Sequence, residues 1–325
     1  MRPARVLAAL LATSLLTACG GEDSGSGGGD AAGDFPTQNV RLLVPYTAGG
    51  PTDIAARALA AHMEQELDES VVVENLPGAS GATAYQQLIQ AEADGHTLSM
   101  TALPTAVLNY LSNDVGYTRE DFTPIGVVTR VPSGIVVPAD SPYQDLASLF
   151  GAAQAEPGSI TVGTPGATNT HAAETRRITQ LYDVPLTVVP FEGNSEVQTA
   201  LLGENVSAGF VNLSQDMLPA IESGDLRVLA VGSEEPLPYV DAPTFVEEGF
   251  PELVQSTTTF GVIAPAGVPD EVRQTVEDTL RSAAEEPSVV ETLGERYVPE
   301  EFIGGEGLQE LFVETEETFR DVMAG

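Results

Sequence analysis

The stretch from Val40 to Gly81 constrains this chain more than any other. From Arg41 it reads RLLVPYTAGGPTDIAARALAAHMEQELDESVVVENLPGASG. Val40, Leu42 and Val44 lead as a strand into Pro45, and Ala48-Gly49-Gly50-Pro51 cannot continue a strand, so the chain must turn. Thr52 or Asp53 is placed to cap the next helix, whose Ile54, Ala58, Leu59 and Met63 recur on one apolar face. Val71 to Val73 reads as a short buried strand. Leu76-Pro77-Gly78-Ala79-Ser80-Gly81 then turns the chain into a second helix that begins at Ser80 and runs to Ala91. Two successive strand–loop–helix units in a parallel sheet put both glycine-rich loops at its carboxyl edge. Free backbone N–H groups and two helix N-termini converge there, an arrangement that favours a carboxylate or similar small anion without any Lys or Arg.

The pattern continues downstream. Thr97 to Thr101 is a third strand, followed by the loop Leu103-Pro104-Thr105. Asp121 to Arg130 and Gly134 to Pro138 are β-rich pieces on either side of Val131-Pro132-Ser133, read as a first crossing into another domain. There the alternation starts afresh: helix Asp145 to Ala155, strand Ile160 to Gly163, loop Thr164 to Asn169, helix Thr170 to Leu181, strand Leu186 to Pro190. Next come the loop Phe191-Glu192-Gly193-Asn194, a helix from Ser195 to Leu202, strand Val206 to Val211, the loop Asn212-Leu213-Ser214, helix Gln215 to Ser223 and strand Leu226 to Val231. Thr257 to Ala264 reads as a return strand, and late helices from Asp270 and from Gly307 to Met323 complete the first domain. The expected fold is α/β, with two domains joined by two crossover strands. Its domains are residues 36–132 plus 258–325, and 133–257. Two domains with two crossings make a hinged clamp suited to ligand capture.

The first residues belong to neither domain. Arg2 and Arg5 precede an apolar run from Val6 to Leu16, the pattern of a secretory signal over residues 1–18 and too short for a stop-transfer helix. Leu16-Thr17-Ala18-Cys19 is similar to a bacterial lipobox, which makes Cys19 the expected lipidation site and a lipid anchor the expected link to the cell membrane. The single cysteine excludes an intrachain disulfide. Residues 19–35 are a Gly/Ser/Asp tether. The formal charge of −35 comes from 48 acidic residues against 13 basic ones. Such a surface is a poor partner for nucleic acid or anionic lipid. It also repels an anionic solute, screened beyond about 8 Å at physiological salt, so an anion site must act through local dipoles.

With these segments in order, the chain resembles the solute receptors of tripartite tricarboxylate transporters, the Bug receptors. The matching stretches are Arg41 to Arg57, Val71 to Gly81, Ala93 to Leu98 (ADGHTL), Asp121 to Ile125 (DFTPI), Val162 to Glu174 (VGTPGATNTHAAE) and Val189 to Gly193 (VPFEG). Leu226 to Val231, Ala242 to Gly249 (APTFVEEG) and Ala264 to Pro269 (APAGVP) complete the set. The resemblance implies a two-domain, periplasmic-binding-protein-like (type II) clamp and an exported receptor, not an enzyme, that binds a small carboxylate or amino-acid-like ligand without a cofactor. It also implies handing the ligand to integral-membrane transporter subunits, and action as a monomer is expected. A ligand-sensing receptor for a two-component signalling system is the alternative.

The resemblance further implies that Tyr46, Thr47, Ala48, Gly49, Gly50, Thr52 and Asp53, with Pro77, Gly78, Ala79, Ser80 and Gly81, hold the ligand's carboxylate. Thr164, Gly166, Ala167, Thr168, Asn169 and His171, with Phe191, Glu192, Gly193, Asn194 and Asn212, select the rest. Glu192 stands where the family commonly has Lys, which suits a ligand bearing an amine. Each candidate has a plainer role: Asp53 as a helix cap, the asparagines as turn residues, Tyr46 and Phe191 as core, His171 as a capping or packing group. No metal cluster, nucleophile elbow or phosphate loop is present in the sequence to support an enzyme.

Overall fold

The computed structural model describes residues 35–233, 235–253 and 256–323. The leader, Cys19 and most of the tether lie outside them.

The first strands set the architecture. β1 (Val40–Val44) pairs in parallel with β2 (Val71–Asn75) on one side and β3 (Thr97–Leu103) on the other. All seven residues of β3 are buried, as a strand covered on both faces requires. β2 differs from its sequence reading. It lies at the sheet edge, and its Val72 is 42% exposed. Between β1 and β2 runs α1 (Pro51–Leu67); α2 (Ala82–Leu88) follows β2 and stops short of Ala91. α1 is capped by neither Thr52 nor Asp53: Gly50 is the N-cap and Pro51 the first helical residue, where a missing N–H costs nothing. The loop after β3 opens at once into α3 (Thr105–Ser112), a helix the sequence pattern does not announce.

β4 (Phe122–Val131) closes that half of the chain, and only Pro132 separates it from β5 (Ser133–Pro138) in a second sheet. The second sheet is built by α4 (Leu146–Ala155), β6 (Thr161–Thr164), α5 (Thr170–Tyr182), β7 (Thr187–Pro190), α6 (Asn194–Leu202), β8 (Ala208–Asn212), α7 (Leu218–Glu222) and β9 (Leu226–Val231). β10 (Thr258–Pro265) then returns to the first sheet, antiparallel between β3 and β4. α8 (Asp270–Glu285), α9 (Pro287–Leu293) and α10 (Gly305–Met323) end the chain. The two sheets have orders β2-β1-β3-β10-β4 and β7-β6-β8-β5-β9. In each, four strands run one way and one runs the other, β10 in the first and β5 in the second, and helices pack beside both.

The late helices are held to the first sheet by apolar stripes. In α8, Val272, Val276, Leu280 and Ala283 recur every three or four residues and are all buried. In α10, Leu308 and Phe312 pack with Leu43, Ile263 and Tyr85. Each Val, Leu or Phe among them contributes roughly 1.5–3 kcal/mol by leaving water, so these helices anchor the half of the molecule to which the chain returns.

Candidate functional site

β1 and β3 end at the same edge of the first sheet, facing β6 and β8 of the second. Between these edges lies a cavity of about 20 Å³, space for roughly one water molecule. Eight expected residues line it: Tyr46, Thr47, Gly50 and Thr52 from one side, Asn169, His171, Asn194 and Asn212 from the other. Pro51, Ala102, Thr105, Pro165, Thr258 and Phe260 complete the wall. No lining residue is acidic or carries a Lys or Arg charge, so the polarity comes from hydroxyls, amides, one imidazole and the first turn of α1. A ligand larger than water can enter only if the two edges separate.

Asp53 shapes the first loop from behind the wall. Its carboxylate, 4% exposed, accepts from the Gly49 N–H at 2.9 Å, from Arg57 at 2.9 Å and from the Asn75 amide at 2.9 Å. Burial alone would raise its pKa; the bonds from Arg57, Gly49 and Asn75 together hold it below the usual carboxylate range. Gly49 turns with φ +86°, a conformation suited to glycine. Asp53 is thus neither helix cap nor cavity wall, and it fixes the turn that presents Thr47 and Gly50. Tyr46 does line the cavity, and burial pushes its phenol well above 10.

On the opposite side Asn169 caps α5, its Oδ1 accepting from the Ala172 N–H at 2.8 Å. Its Nδ2 faces His171 Nδ1 at 3.2 Å. His171 is 2% exposed, and burial lowers its pKa to about 3 against the opposing bond to Asn212, so the imidazole is neutral at physiological pH. The Asn194 amide is matched to the backbone of Asn212: its Oδ1 accepts from the Asn212 N–H at 3.2 Å, and its Nδ2 donates to the Asn212 carbonyl at 3.4 Å. That pairing makes Asn194 a clamp between the loops after β7 and β8. The Asn212 side chain, 5% exposed, is held through Oδ1 by Ser133.

The second glycine-rich loop does not share this cavity. Gly78, Ala79, Ser80 and Gly81 line a neighbouring one of about 390 Å³, with Gly166, Ala167, Thr168, Phe191 and Glu192 opposite. Pro165 borders both. Within the second cavity's wall the Ser80 hydroxyl meets the Thr168 N–H at 3.2 Å, and the two loop sets predicted to converge on one spot line two separate cavities. Glu192 is exposed on this rim, its backbone N–H bonded to Glu196 at 3.0 Å. The remaining candidates line neither cavity. Gly49 and Asp53 form the turn, and the Ala48 carbonyl accepts from Ser195 at 3.5 Å. Thr164 Oγ1 donates to the Gly166 carbonyl at 2.8 Å, and Gly193 abuts Thr47. Pro77 contributes no side-chain contact to either wall.

Several wall residues escaped the sequence reading. Thr105 and Asn109 lie four apart on α3 and point the same way; Asn109 lines the second cavity and is 1% exposed. A buried Asn one helical turn after Pro104-Thr105 is the only signal the sequence held. Thr258 and Phe260 alternate along β10, one face of which borders the cavity.

Two α/β lobes meeting across the carboxyl edges of their sheets, with a polar uncharged cavity at the junction, define a two-domain periplasmic binding protein. The chain belongs to the tripartite tricarboxylate transporter receptor family, whose model matches residues 55–306. It is 34% identical over 263 residues to the UPF0065 protein in gbd 5'region of Cupriavidus necator, covering 81% of this chain and 79% of that one. It superimposes on MatC from Rhodopseudomonas palustris with bound malate at a TM-score of 0.82 and 27% identity, covering 89% and 100% of the two chains. A second R. palustris structure, with adipate, gives 0.81 and 29% over 89% and 97%. The family is one of substrate-binding receptors outside the cytoplasm, not of enzymes.

Proposed function

We propose that the chain captures a small carboxylate-containing solute between its lobes and delivers it to integral-membrane transporter subunits. In this reading residues 36–132 with 258–325 form one lobe and 133–257 the other, Cys19 carries a lipid anchor, and the receptor acts as a monomer. The observation that carries it is the cavity beside the Gly49–Gly50 turn. Helix N-terminal N–H groups, Thr hydroxyls and Asn amides surround it without a competing carboxylate, an environment that stabilises an anion by dipoles alone. The malate and adipate held by the two similar structures fit that chemistry. Glu192 stays a candidate for an amine on the ligand once the lobes part and the two cavities merge.

The test is thermal-shift screening of the chain from Gly20 against di- and tricarboxylates, amino acids, nicotinate and aromatic acids. A ligand at a hundred times its Kd adds about 2.7 kcal/mol of stability. A carboxylate hit supports the reading, and a panel with amines or sugars as its only hits contradicts it.

A further inference from the structure

Ser133, fully buried, is the first residue beyond the Pro132 crossing. It is not in the cavity wall, yet its hydroxyl meets His171 Nε2 at 2.8 Å and Asn212 Oδ1 at 3.2 Å, and it donates to the Ser256 carbonyl. Ser256 belongs to the second crossing, two residues ahead of β10. The Ser133 carbonyl also accepts from the Gly232 N–H at 2.7 Å, where the chain leaves β9. One residue therefore touches both crossings and two side chains of the cavity.

The proton order in this cluster is determined. Asn169 Oδ1 is committed to the Ala172 N–H, so its Nδ2 faces His171 Nδ1 as a donor. Nδ1 is then the acceptor and Nε2 carries the ring proton, which it donates to Ser133 Oγ. Ser133 has one hydroxyl proton for two acceptors, the Ser256 carbonyl and Asn212 Oδ1, and shares it between them. Position 133 must accept and donate at once in a fully buried place, a task for a hydroxyl. The far side is equally tight: a Cβ at Gly232 would stand 1.8 Å from Ser256 Oγ, so Ser256 has no room to drift.

We infer that Ser133 is a positioning residue coupling the orientation of His171 and Asn212 in the cavity to the relative position of the two crossings. This rests on reading the chain as a ligand clamp. Rotation of one lobe about the crossings changes the Ser133–Ser256 contact, and the same hydroxyl holds the imidazole and the amide that face the ligand. Loss of the hydroxyl leaves both crossings intact as chain but uncouples them from the cavity.

The test compares Ser133→Ala with Thr279→Val, which removes a buried hydroxyl bond to Thr275 within α8, remote from the crossings. Spin labels at Glu66→Cys and Asp140→Cys, both exposed and one in each lobe, report the interlobe distance in the chain from Gly20, which has no native cysteine. Nitrogen NMR reports the His171 ring. Ser133→Ala should broaden the distance distribution and move the Nε2 resonance, and should weaken the tightest carboxylate hit at least tenfold. Thr279→Val should do none of these. An unchanged distribution and ring signal in Ser133→Ala, or the same broadening in Thr279→Val, overturns the inference. Should no carboxylate bind the wild-type chain, the clamp's assigned ligand class falls, while the distance and ring measurements still decide the role of Ser133.

Discussion

The Ser80 hydroxyl accepts a hydrogen bond from the Thr168 backbone N–H at 3.2 Å, joining the second glycine-rich loop of one lobe to the first loop of the other. Asn109 completes the latch: its Nδ2 donates to the Ser80 carbonyl at 2.9 Å and its Oδ1 accepts from Thr168 Oγ1 at 2.6 Å. Removing its amide leaves a buried carbonyl and a hydroxyl without partners, a cost of about 1–3 kcal/mol. Asn109→Ala is therefore expected to open the lobes on average, read as a larger radius of gyration by small-angle scattering. An unchanged radius would show that the latch does not hold the lobes together.

Gly193 packs directly against Thr47 across the two cavity-side loops. A Cβ on Gly193 would stand 2.4 Å from Thr47 Oγ1. Its backbone is extended, φ −172°, so a larger side chain meets no local strain, only the opposite lobe. Gly193→Val should weaken ligand affinity tenfold or more by holding the two loops apart. Adding Thr47→Ala should restore much of the loss in a titration. Failure of that rescue would place the effect elsewhere.

Gly50 offers a sharper separation of folding from binding. It is the N-cap of α1, with φ −86° and no side-chain cap bond, and a Cβ there would make only ordinary contacts with Thr47 and Asn194. Aspartate caps helices somewhat better than glycine, by a few tenths of a kcal/mol. Gly50→Asp should leave the melting temperature equal or slightly raised while its carboxylate occupies the place of the ligand's own. Wild-type affinity in this variant would remove the anion from the α1 N-terminus.

Two buried titratable groups both predict stability lost as pH falls, in different pH windows. Asp53 has a lowered pKa, so its stabilisation is present above the unfolded carboxylate value, about 3.9, and is lost as pH falls through the folded value. His171 is lowered from 6.5 to about 3. Its neutral form is the folded one, so the stability is full above pH 6.5 and declines as pH falls from there towards 3, by an amount on the order of a few kcal/mol. Denaturant melts of His171→Gln should lack the slope between pH 6.5 and 4 that the wild type shows. In Asp53→Asn the slope below about pH 4 should shrink instead. A His171 that titrates near 6.5 by NMR would contradict the burial argument.

How far the sequence revealed this arrangement differs from element to element. Strands that are mostly apolar, such as β1 and β9, and helices with explicit caps, such as α4 behind Asp145, are readable because one local signal dominates. β2 looked buried because Val71-Val72-Val73 is apolar, yet its place at the edge is decided by β1 and β3, far away in sequence. α3 and α9 were missed because short helices have little periodicity to show. The candidate site is legible as loops but not as cavities: glycine-rich turns announce where the backbone bends, whereas the division into two spaces on either side of Pro165 depends on how distant loops meet. Ser133 carried no local signal. Its role comes from where two crossings happen to pass.

The most direct test of the account is isothermal titration of the chain from Gly20 with the carboxylate that most raises its melting temperature, beside Gly50→Asp at equal concentration. One site per chain in the wild type, and no measurable heat in a folded Gly50→Asp, is the predicted outcome. Binding of equal strength in both, or wild-type binding that also survives Gly193→Val, would contradict a carboxylate held between the lobes at the head of α1.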